Sequence, residues 1–270
     1  MIGFFIFNGV NSRDHGIYIE SYPQSCHAPR RGTLYEIAGR NGSGVDEDGT
    51  YSTYTQPYNI NVKEGNARRA DLRSSDLAQW LTGEPGFLRL EDSFEPEYFR
   101  MARFAGPVTI DQILGRWGRA QIEFECQPER YLVNGEKPVN GLDYLPTNPF
   151  IMANPTGRTA HPIVRIGGAG DVTLTFRDSG GDRIIGVHLG TGKGVEIDCD
   201  ACRCWELISP TVKTPADNLL FWPGQTDPVA EYHEFPTLRK GTTQIIPAVD
   251  TQNPDSRVVM LEVVPRWWTL

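Results

Sequence analysis

A regular alternation of apolar and polar residues constrains the fold of this chain more than any other feature. Val172, Leu174 and Phe176 are each followed by a polar residue, and the stretch Arg119–Cys126 alternates in the same way. Successive side chains of a β-strand point to opposite faces, so this period of two predicts strands with one buried and one solvated face. The chain is therefore predicted to be mainly antiparallel β-sheet.

Length and turn residues predict two domains. The chain has 270 residues, with 28 glycines and 20 prolines, and is about twice as long as a typical domain. Turn-forming pairs crowd together between Pro128 and Pro149, as is typical of a linker. We predict an N-terminal domain at 1–133, a linker at 134–148 and a C-terminal domain at 149–270.

One helix is predicted in the first domain. Asn66 can cap its start, Leu77, Trp80 and Leu81 have helical spacing, and Gly83 can end it. Because the other segments of this half alternate with a period of two or contain turn residues, the helix is expected to pack onto a β-sheet.

The first domain is also predicted to carry an extended arm. A glycine-rich stretch, Gly39–Gly49, leads into an aromatic run from Tyr51 to Val62 that Pro57 interrupts. Proline has no N–H for a sheet ladder, so it is expected at an edge or a bend. The N-terminal domain is therefore predicted to be β-sandwich-like, with one α-helix and an extended arm.

Two glycine-containing turns are predicted to be hairpin tips. Asn8-Gly9 separates Phe4–Phe7 from Ile17–Ile19, which predicts that these two segments pair. Gly190–Gly194 superficially resembles a phosphate-binding loop, but Val187 stands where that motif requires glycine. The residues that follow alternate as a strand, so a hairpin tip is the favoured interpretation.

Charge and hydropathy argue against several functional classes. The chain has 26 basic and 34 acidic residues, a net charge of −8, whereas a grip on nucleic acid requires clustered cations. The longest apolar runs, Phe4–Phe7 and Val258–Leu261, are too short to span a bilayer. Apolar residues follow Met1 without a basic leader, which favours a first strand over a signal peptide and predicts synthesis in a cytoplasm. Specific DNA binding and membrane insertion are not expected.

Candidate catalytic and metal-binding groups are sparse. Cys199, Cys202 and Cys204 have a spacing that can bind zinc if a fourth ligand such as His188 converges on them. On a strand running from Val195 to Trp205, however, the three thiols would not share a face, which favours packing over a metal site. The five histidines fall in no nucleophile motif. The protein is therefore predicted not to be an enzyme and to need no metal or cofactor.

A series of short marks occurs in a fixed order along the chain. They are Phe7-Asn8-Gly9, Asp14–Ile17, Gly39–Gly42, Tyr54–Val62, Trp80–Gly83 and Phe124–Pro128 in the first half, and Asn154–Thr156, His161–Ile166, Gly170–Phe176, Phe235–Leu238 and Val263–Trp268 in the second. Their order resembles that of the distal tail proteins of siphophages. The resemblance covers nearly the whole chain and implies that the C-terminal domain is a galectin-like antiparallel β-sandwich.

The resemblance also implies a function. Members of this family are structural virion proteins at the distal end of the phage tail, where their N-terminal domains form a hexameric ring. The ring joins the tail tube to the tail-associated, fibre or receptor-binding proteins of the tip, and DNA passes through its lumen without specific binding. The chain is thus expected to be a tail hub that assembles with copies of itself.

The extended arm is predicted to contact the neighbouring subunit of such a ring. This head-to-tail contact would be heterologous and would close by rotation. The predicted interface residues are Gly39, Arg40, Gly42, Tyr51, Tyr54 and Tyr58.

Phe221 and Trp222 support an alternative hypothesis. They lie in the stretch Ser209–Glu234, which is longer than the family pattern requires. If the rings are exposed, they can contact a partner or stack on a sugar, and the chain would be a carbohydrate-binding module for a host surface polysaccharide. If Trp222 instead anchors the stretch onto the sandwich, its role is packing. The sequence leaves both interpretations open.

Overall fold

The computed structural model describes residues 3–63, 70–106, 111–113, 117–142, 150–209, 212–223, 234–250 and 252–270. The chain divides into two compact units, one of residues up to Val133 with Leu270, the other of Asn134–Thr269. Within the described residues, no helix is long and apolar enough to cross a membrane.

The first unit contains ten strands and one described α-helix. The strands are β1 (Phe5–Phe7), β2 (Val10–Asn11), β3 (Ile17–Ile19), β4 (Arg30–Glu36), β5 (Ser43–Tyr51), β6 (Tyr54–Lys63), β7 (Leu88–Asp92), β8 (Tyr98–Phe104), β9 (Asp111–Ile113) and β10 (Trp117–Leu132). Seven of them form an antiparallel sheet in the order β2-β1-β7-β8-β10-β6-β3, and β9 pairs with the start of β10. Helix α1 (Ala70–Thr82) is the predicted helix; its expected cap, Asn66, lies outside the described residues.

Aromatic rings and the helix build the core of the first unit. Phe5 and Phe124 are fully buried and meet edge to face, with ring centroids 5.5 Å apart. Helix α1 contributes Leu77 and Leu81, which are 2% and 3% exposed. The ring of Trp80 stacks on Phe5 at 5.8 Å. The apolar stripe predicted from helical spacing therefore faces the sheet.

The predicted N-terminal hairpin has the right turn but the wrong second strand. Asn8 and Gly9 have φ values of 49° and 76°, as a two-residue hairpin turn of the mirror type requires, yet they join β1 to β2. β3 pairs with β6 instead. The cause is the buried Ser12, whose Oγ donates to the carbonyl oxygen of Ile17 and accepts from the N–H of Phe5. These bonds reverse the chain once more before β3 begins.

The second unit contains ten further strands. They are β11 (Val139–Asn140), β12 (Phe150–Asn154), β13 (Ile163–Asp178), β14 (Gly181–Asp198), β15 (Arg203–Leu207), β16 (Lys213–Pro215), β17 (Leu220–Phe221), β18 (Gly241–Val249), β19 (Arg257–Val264) and β20 (Trp268–Thr269). Part of the segment predicted as a linker forms β11, which pairs with β19. Residues 143–149 of that segment lie outside the described residues.

One long hairpin, β13–β14, organises the predicted β-sandwich. Its tip half pairs with β18 and β17, whereas its other half pairs with β19 and β15. The change of partner occurs at a bulge between Gly168 and Gly170. A Cβ on Gly168 would lie 1.9 Å from the carbonyl oxygen of Arg257, so only glycine fits there. Leu174, Phe176 and Ile197 are among the buried residues of these strands.

The bulge corrects the interpretation of Gly190–Gly194 as a hairpin tip. β14 runs unbroken through this segment, where Gly190–Gly192 bulge opposite the single residue Ala169 of β13 and Gly192 takes a φ of 71°. The tip of the hairpin lies at Ser179–Gly180 instead, between the paired residues Asp178 and Gly181. The glycines therefore bend a continuous strand.

The three clustered cysteines do not lie along one strand: Cys199 and Cys202 lie in a turn, and Cys204 lies in β15. Oδ1 of Asp198 accepts from the N–H groups of Asp200 and Ala201, which ends β14 and reverses the chain into β15. Cys199 and Cys204 are buried, and Cys202 is exposed with a φ of 53°. Burial raises the pKa of Cys199 and raises that of Cys204 to about 12, so these two thiols belong to the packing of the unit.

The chain begins and ends the second unit at neighbouring points. Gly135 lies against Trp267, and a Cβ there would come within 2.6 Å of the Trp267 nitrogen. The N–H of Arg266 donates to the carbonyl oxygen of Gly135 over 2.8 Å. A little further on, Val139 pairs with Val263.

Candidate functional site: an exposed hairpin in the first unit

β4 and β5 form a two-stranded sheet of their own, here called the β4–β5 hairpin. Its register runs from Arg30 opposite Tyr51 to Glu36 opposite Ser43. Gly39 and Gly42 in the loop have φ values of 80° and 86°, a left-handed conformation that glycine adopts without strain. The first part of the predicted arm, which ran from Thr33 to Val62, is thus a β-hairpin closed by a glycine-dependent loop, whereas its second part is β6, a strand of the main sheet of the first unit.

Large apolar side chains on the β4–β5 hairpin are exposed. Leu34, Val45 and Tyr35 are 71%, 54% and 51% exposed, and every residue of β4 is solvent-accessible. Leu34 pairs directly with Val45. The Tyr35 ring lies over Gly44, where a Cβ would come within 2.5 Å of it. An isolated two-stranded hairpin is marginally stable in water, and exposed apolar groups of this kind mark interaction sites.

Leu34 and Val45 were not among the interface residues predicted from the sequence. Their signal was weak, because Val45 is a single apolar residue among glycine and acidic residues, and Leu34-Tyr35 is a short pair flanked by polar residues. The pairing register, which depends on residues eleven positions apart in the chain, brings them together. The predicted residues Gly39, Arg40 and Gly42 lie in the adjoining loop, where the N–H of Arg40 donates to the carbonyl oxygen of Ile37.

Tyr51 lies at the base of the β4–β5 hairpin. It is half-buried and packs against the core of the first unit. The Arg30 guanidinium lies 6.0 Å from its ring centroid and pairs with Glu47 over 3.1 Å. Tyr51 therefore joins the hairpin to the body of its own unit.

The prediction that Tyr54 and Tyr58 contact a neighbouring subunit is corrected by their burial. They are 7% and 1% exposed and belong to the core of the first unit. Tyr58 donates to Asp92 Oδ2 over 3.0 Å, and Tyr54 Oη accepts from Arg100 Nε over 2.9 Å. Burial raises the pKa of Tyr54 to about 12, so its hydroxyl is neutral at physiological pH.

Phe221 and Trp222, the second predicted contact site, are both half-buried. The Phe221 ring stacks on His188 with centroids 4.4 Å apart and lies over Gly186, where a Cβ would come within 2.3 Å of it. Trp222 meets Phe235 edge to face at 5.7 Å. These contacts hold the rings to their own unit, as expected for packing residues.

His188 is a surface residue. Its neighbours were not predicted, because the five histidines are scattered along the sequence. Its Nδ1 lies 2.7 Å from Asp171 Oδ1, across the β13–β14 pair, and both side chains are about half exposed. With Phe221 stacked beside it, the imidazole has a fixed orientation. The arrangement is a surface hydrogen bond between β13 and β14.

Comparison with known proteins gives a clear result for the fold. No protein-family model matches the chain, and no curated protein matches it. Among solved structures, the SPP1 Dit protein (gp 19.1), described as a paradigm of the hub adsorption apparatus in phages that infect Gram-positive bacteria, matches with a TM-score of 0.71. The match covers 100% of both chains at 13% sequence identity. The chain has the distal tail protein fold.

Phage baseplates provide further matches. Structures of the phage P2 baseplate in its activated conformation, with calcium and with strontium, match with a TM-score of 0.54 and 9% identity over 97% of both chains. The predicted resemblance to the distal tail protein fold is thereby confirmed, together with the mainly β architecture and its single described α-helix.

Proposed function

We propose that this protein is a structural, non-enzymatic subunit of a phage tail tip. The observation that carries the proposal is the whole-chain match to a protein described as part of a hub adsorption apparatus. Matches to a phage baseplate support the same placement. The protein would be made in the host cytoplasm and act in the virion, at the distal end of the tail.

In this proposal, the subunits form a hexameric ring through their first units. The β4–β5 hairpin of one copy lies on the next copy, so that Leu34 and Val45 leave water at the contact. Because the hairpin and its acceptor surface are different parts of the molecule, the interface is heterologous and closes into a ring by rotation. Arg30, Glu36 and Glu47 place both signs of charge on the hairpin, which suits a specific contact with one register.

The ring would surround a lumen through which the genome passes. A net charge of −8 disfavours adhesion of DNA phosphates to the wall. One face of the ring would meet the tail tube protein, and the other the tail-associated, fibre or receptor-binding proteins. In this role the second unit is available for contacts with the tip.

The carbohydrate-binding alternative has weaker support. It requires an open aromatic platform, whereas Phe221 and Trp222 are half-buried and engaged by His188 and Phe235. Glycan binding by a monomer would favour this alternative over the hub.

Removal of the β4–β5 hairpin tests the proposal. Arg30 and Tyr51 are direct cross-strand partners, so residues 31–50 can be replaced by Asn-Gly, a dipeptide that closes tight hairpins. Native mass spectrometry and negative-stain images should show six-membered rings for the full chain and monomers for the shortened one.

Two results would contradict the proposal. A full-length chain that stays monomeric at high protein concentration, alone and with its tail partners, would remove the basis for the hub. Rings that persist without residues 31–50 would exclude the hairpin as the assembly contact. Circular dichroism of the shortened chain serves as the control, since both units should remain folded.

A further inference from the structure

A polar cluster, formed by Asp92, Glu95, Arg100 and Arg130, lies within the first unit. Arg100 is 4% exposed, and its guanidinium pairs with Asp92 over 3.4 Å and with Glu95 over 2.6 Å. Glu95 also pairs with Arg130 over 2.8 Å. Two cations are thus balanced by two anions, which a buried arrangement requires because an unpaired charge there is strongly unfavourable.

Two tyrosines of β6 connect to this polar cluster at different points. The hydroxyl of Tyr58 donates to Asp92, and that of Tyr54 accepts from Arg100 Nε. Burial opposes the charge of Arg100, but the neighbouring Tyr58, Tyr54 and Glu95 raise its pKa overall. The guanidinium therefore stays charged and donates a hydrogen bond to Tyr54, the first residue of β6.

The first residues of β6 lie at the base of the β4–β5 hairpin. Tyr54 follows the end of β5 by three residues. The N–H of Ser52 donates to the carbonyl oxygen of Pro29 over 2.9 Å, which ties the two legs of the hairpin together. Gln56, 1% exposed, donates through Nε2 to the carbonyl oxygen of Gln24 over 2.9 Å, which ties the incoming leg to β6.

The polar cluster is too tightly filled for a ligand site. The cavity lined by Gln56, Asp92, Glu95 and Arg100 has a volume of about 20 Å³, which is room for one water molecule. Its side chains point at each other and at the hairpin base. A role in positioning that base accounts for its location.

We propose that the polar cluster anchors the base of the β4–β5 hairpin through Tyr54, next to the bond from Gln56 to Gln24, and so sets the direction in which the hairpin leaves its unit. Arg100 is the central positioning residue. The role in assembly rests on the proposed function, since the direction of the hairpin determines whether it meets the next subunit. The anchoring itself is a property of one chain.

Tyr54→Phe and Tyr58→Phe form a matched pair that tests the anchor. Each removes one hydroxyl from the same cluster and the same strand, but only Tyr54 lies at the hairpin base. In hydrogen exchange, measured on dilute monomer and referred to core amides of β6 and β10, we expect the Ser52 amide to exchange at least tenfold faster in Tyr54→Phe. In Tyr58→Phe it should exchange at the wild-type ratio, because the base remains bonded.

Gln56→Met supplies a second, independent variant. It keeps the length of the side chain and removes the donor to Gln24, so we expect the same acceleration at Ser52. If Tyr54→Phe does not accelerate that amide relative to Tyr58→Phe, the polar cluster is only part of the core and the inference is overturned, whatever Gln56→Met does.

Assembly is then measured separately on the same proteins. We expect Tyr54→Phe to weaken ring formation at least tenfold and Tyr58→Phe to leave it unchanged. If Tyr54→Phe accelerates exchange at Ser52 but forms rings as tightly as the wild type, the link between the anchor and assembly is wrong. If the wild type forms no ring but the variants change exchange at Ser52 as expected, the hub proposal is wrong and the anchoring inference holds.

Discussion

Leu34 and Val45 face each other across the β4–β5 hairpin while 71% and 54% of their surfaces remain exposed. A cross-strand apolar pair contributes only about 0.2–1 kcal/mol to a sheet. Complete burial of two such side chains contributes about 1.5–3 kcal/mol each. Most of the free energy available from this pair is therefore unused within one chain and is available to a contact between chains.

Replacement of Leu34 by Ser together with Val45 by Thr should weaken the ring and leave the monomer intact. Loss of about 3 kcal/mol of burial per interface corresponds to roughly a hundredfold higher dissociation constant. The free energy of unfolding of the monomer should change by less than about 0.5 kcal/mol, because both positions are exposed. Sedimentation velocity and chemical denaturation measure the two effects.

Ile208→Ser is the matched control for this double variant, since Ile208 is 62% exposed and belongs to the second unit. It should assemble like the wild type. Equal weakening by the control would mean that exposed apolar surface in general, and not the hairpin pair, drives association.

Asp178→Asn should destabilise the second unit and change its response to acid. Asp178 and Arg183 form an ion pair with side chains 2% and 5% exposed. Burial opposes the Asp178 carboxylate, but hydrogen bonds from Arg183 and the Gly180 N–H outweigh it and lower its pKa. The Asn variant leaves the Arg183 charge buried without its partner, at a cost of about 3 kcal/mol.

The sign of the pH dependence follows from the lowered pKa of Asp178. Its contribution is present above the unfolded value of about 4 and is lost as pH falls through the lower, folded-state value. Denaturation of the wild type from pH 7 down to about pH 2 should show this loss, and Asp178→Asn should show a smaller one. Asp182→Asn, at an exposed pair with Arg177 in the same hairpin, should behave as the wild type at pH 7. An unchanged acid profile in Asp178→Asn would contradict the assignment.

Trp222→Ala should cost stability without affecting recognition of a sugar. The ring is half-buried and meets Phe235 edge to face, so we expect a loss of about 2 kcal/mol, below the full cost of a core substitution. Thermal denaturation and a glycan array measure the two properties. Wild-type affinity for a polysaccharide, lost in an equally stable Trp222→Ala protein, would instead favour the carbohydrate-binding alternative.

A fragment of residues 134–270 should be more stable than one of residues 150–270. The longer fragment keeps β11, whose Val139 pairs with Val263, and the bond from the Gly141 N–H to the carbonyl oxygen of Leu261 at 2.6 Å. We expect the shorter fragment to melt about 3–5 °C lower, as loss of roughly 1 kcal/mol implies for a domain of this size. Equal melting temperatures would show that β11 is an appendage and would support a domain start near Phe150.

Local periodicity predicted the strands well, because which side chains of a strand face the core depends only on nearby residues. In β10, Ile122, Phe124 and Cys126 are buried as the alternation requires. Helix α1 followed from the spacing of Leu77 and Leu81 for the same reason. The order in which strands pair depends on distant residues, and there the prediction for the N-terminal hairpin was wrong.

The tyrosines of β6 show what local patterns leave out. Tyr54 and Tyr58 lie on the same buried face of one strand as Ile60 and Val62, but their position beside a glycine-rich arm favoured an interface role. Their hydrogen-bond partners are Arg100, 46 residues away, and Asp92, 34 residues away. A buried charged cluster assembled from such separations has no signature within a short window of sequence.

The adjacency of Gly135 and Trp267 has a consequence for the history of such chains. Since the second unit starts and finishes at one point, it has the geometry of a cassette. Recombination can replace it with another domain whose two ends are also close together, and the chain next to those ends keeps its path. A unit of this geometry could equally be inserted into a surface loop of another protein, because its two ends meet at one point.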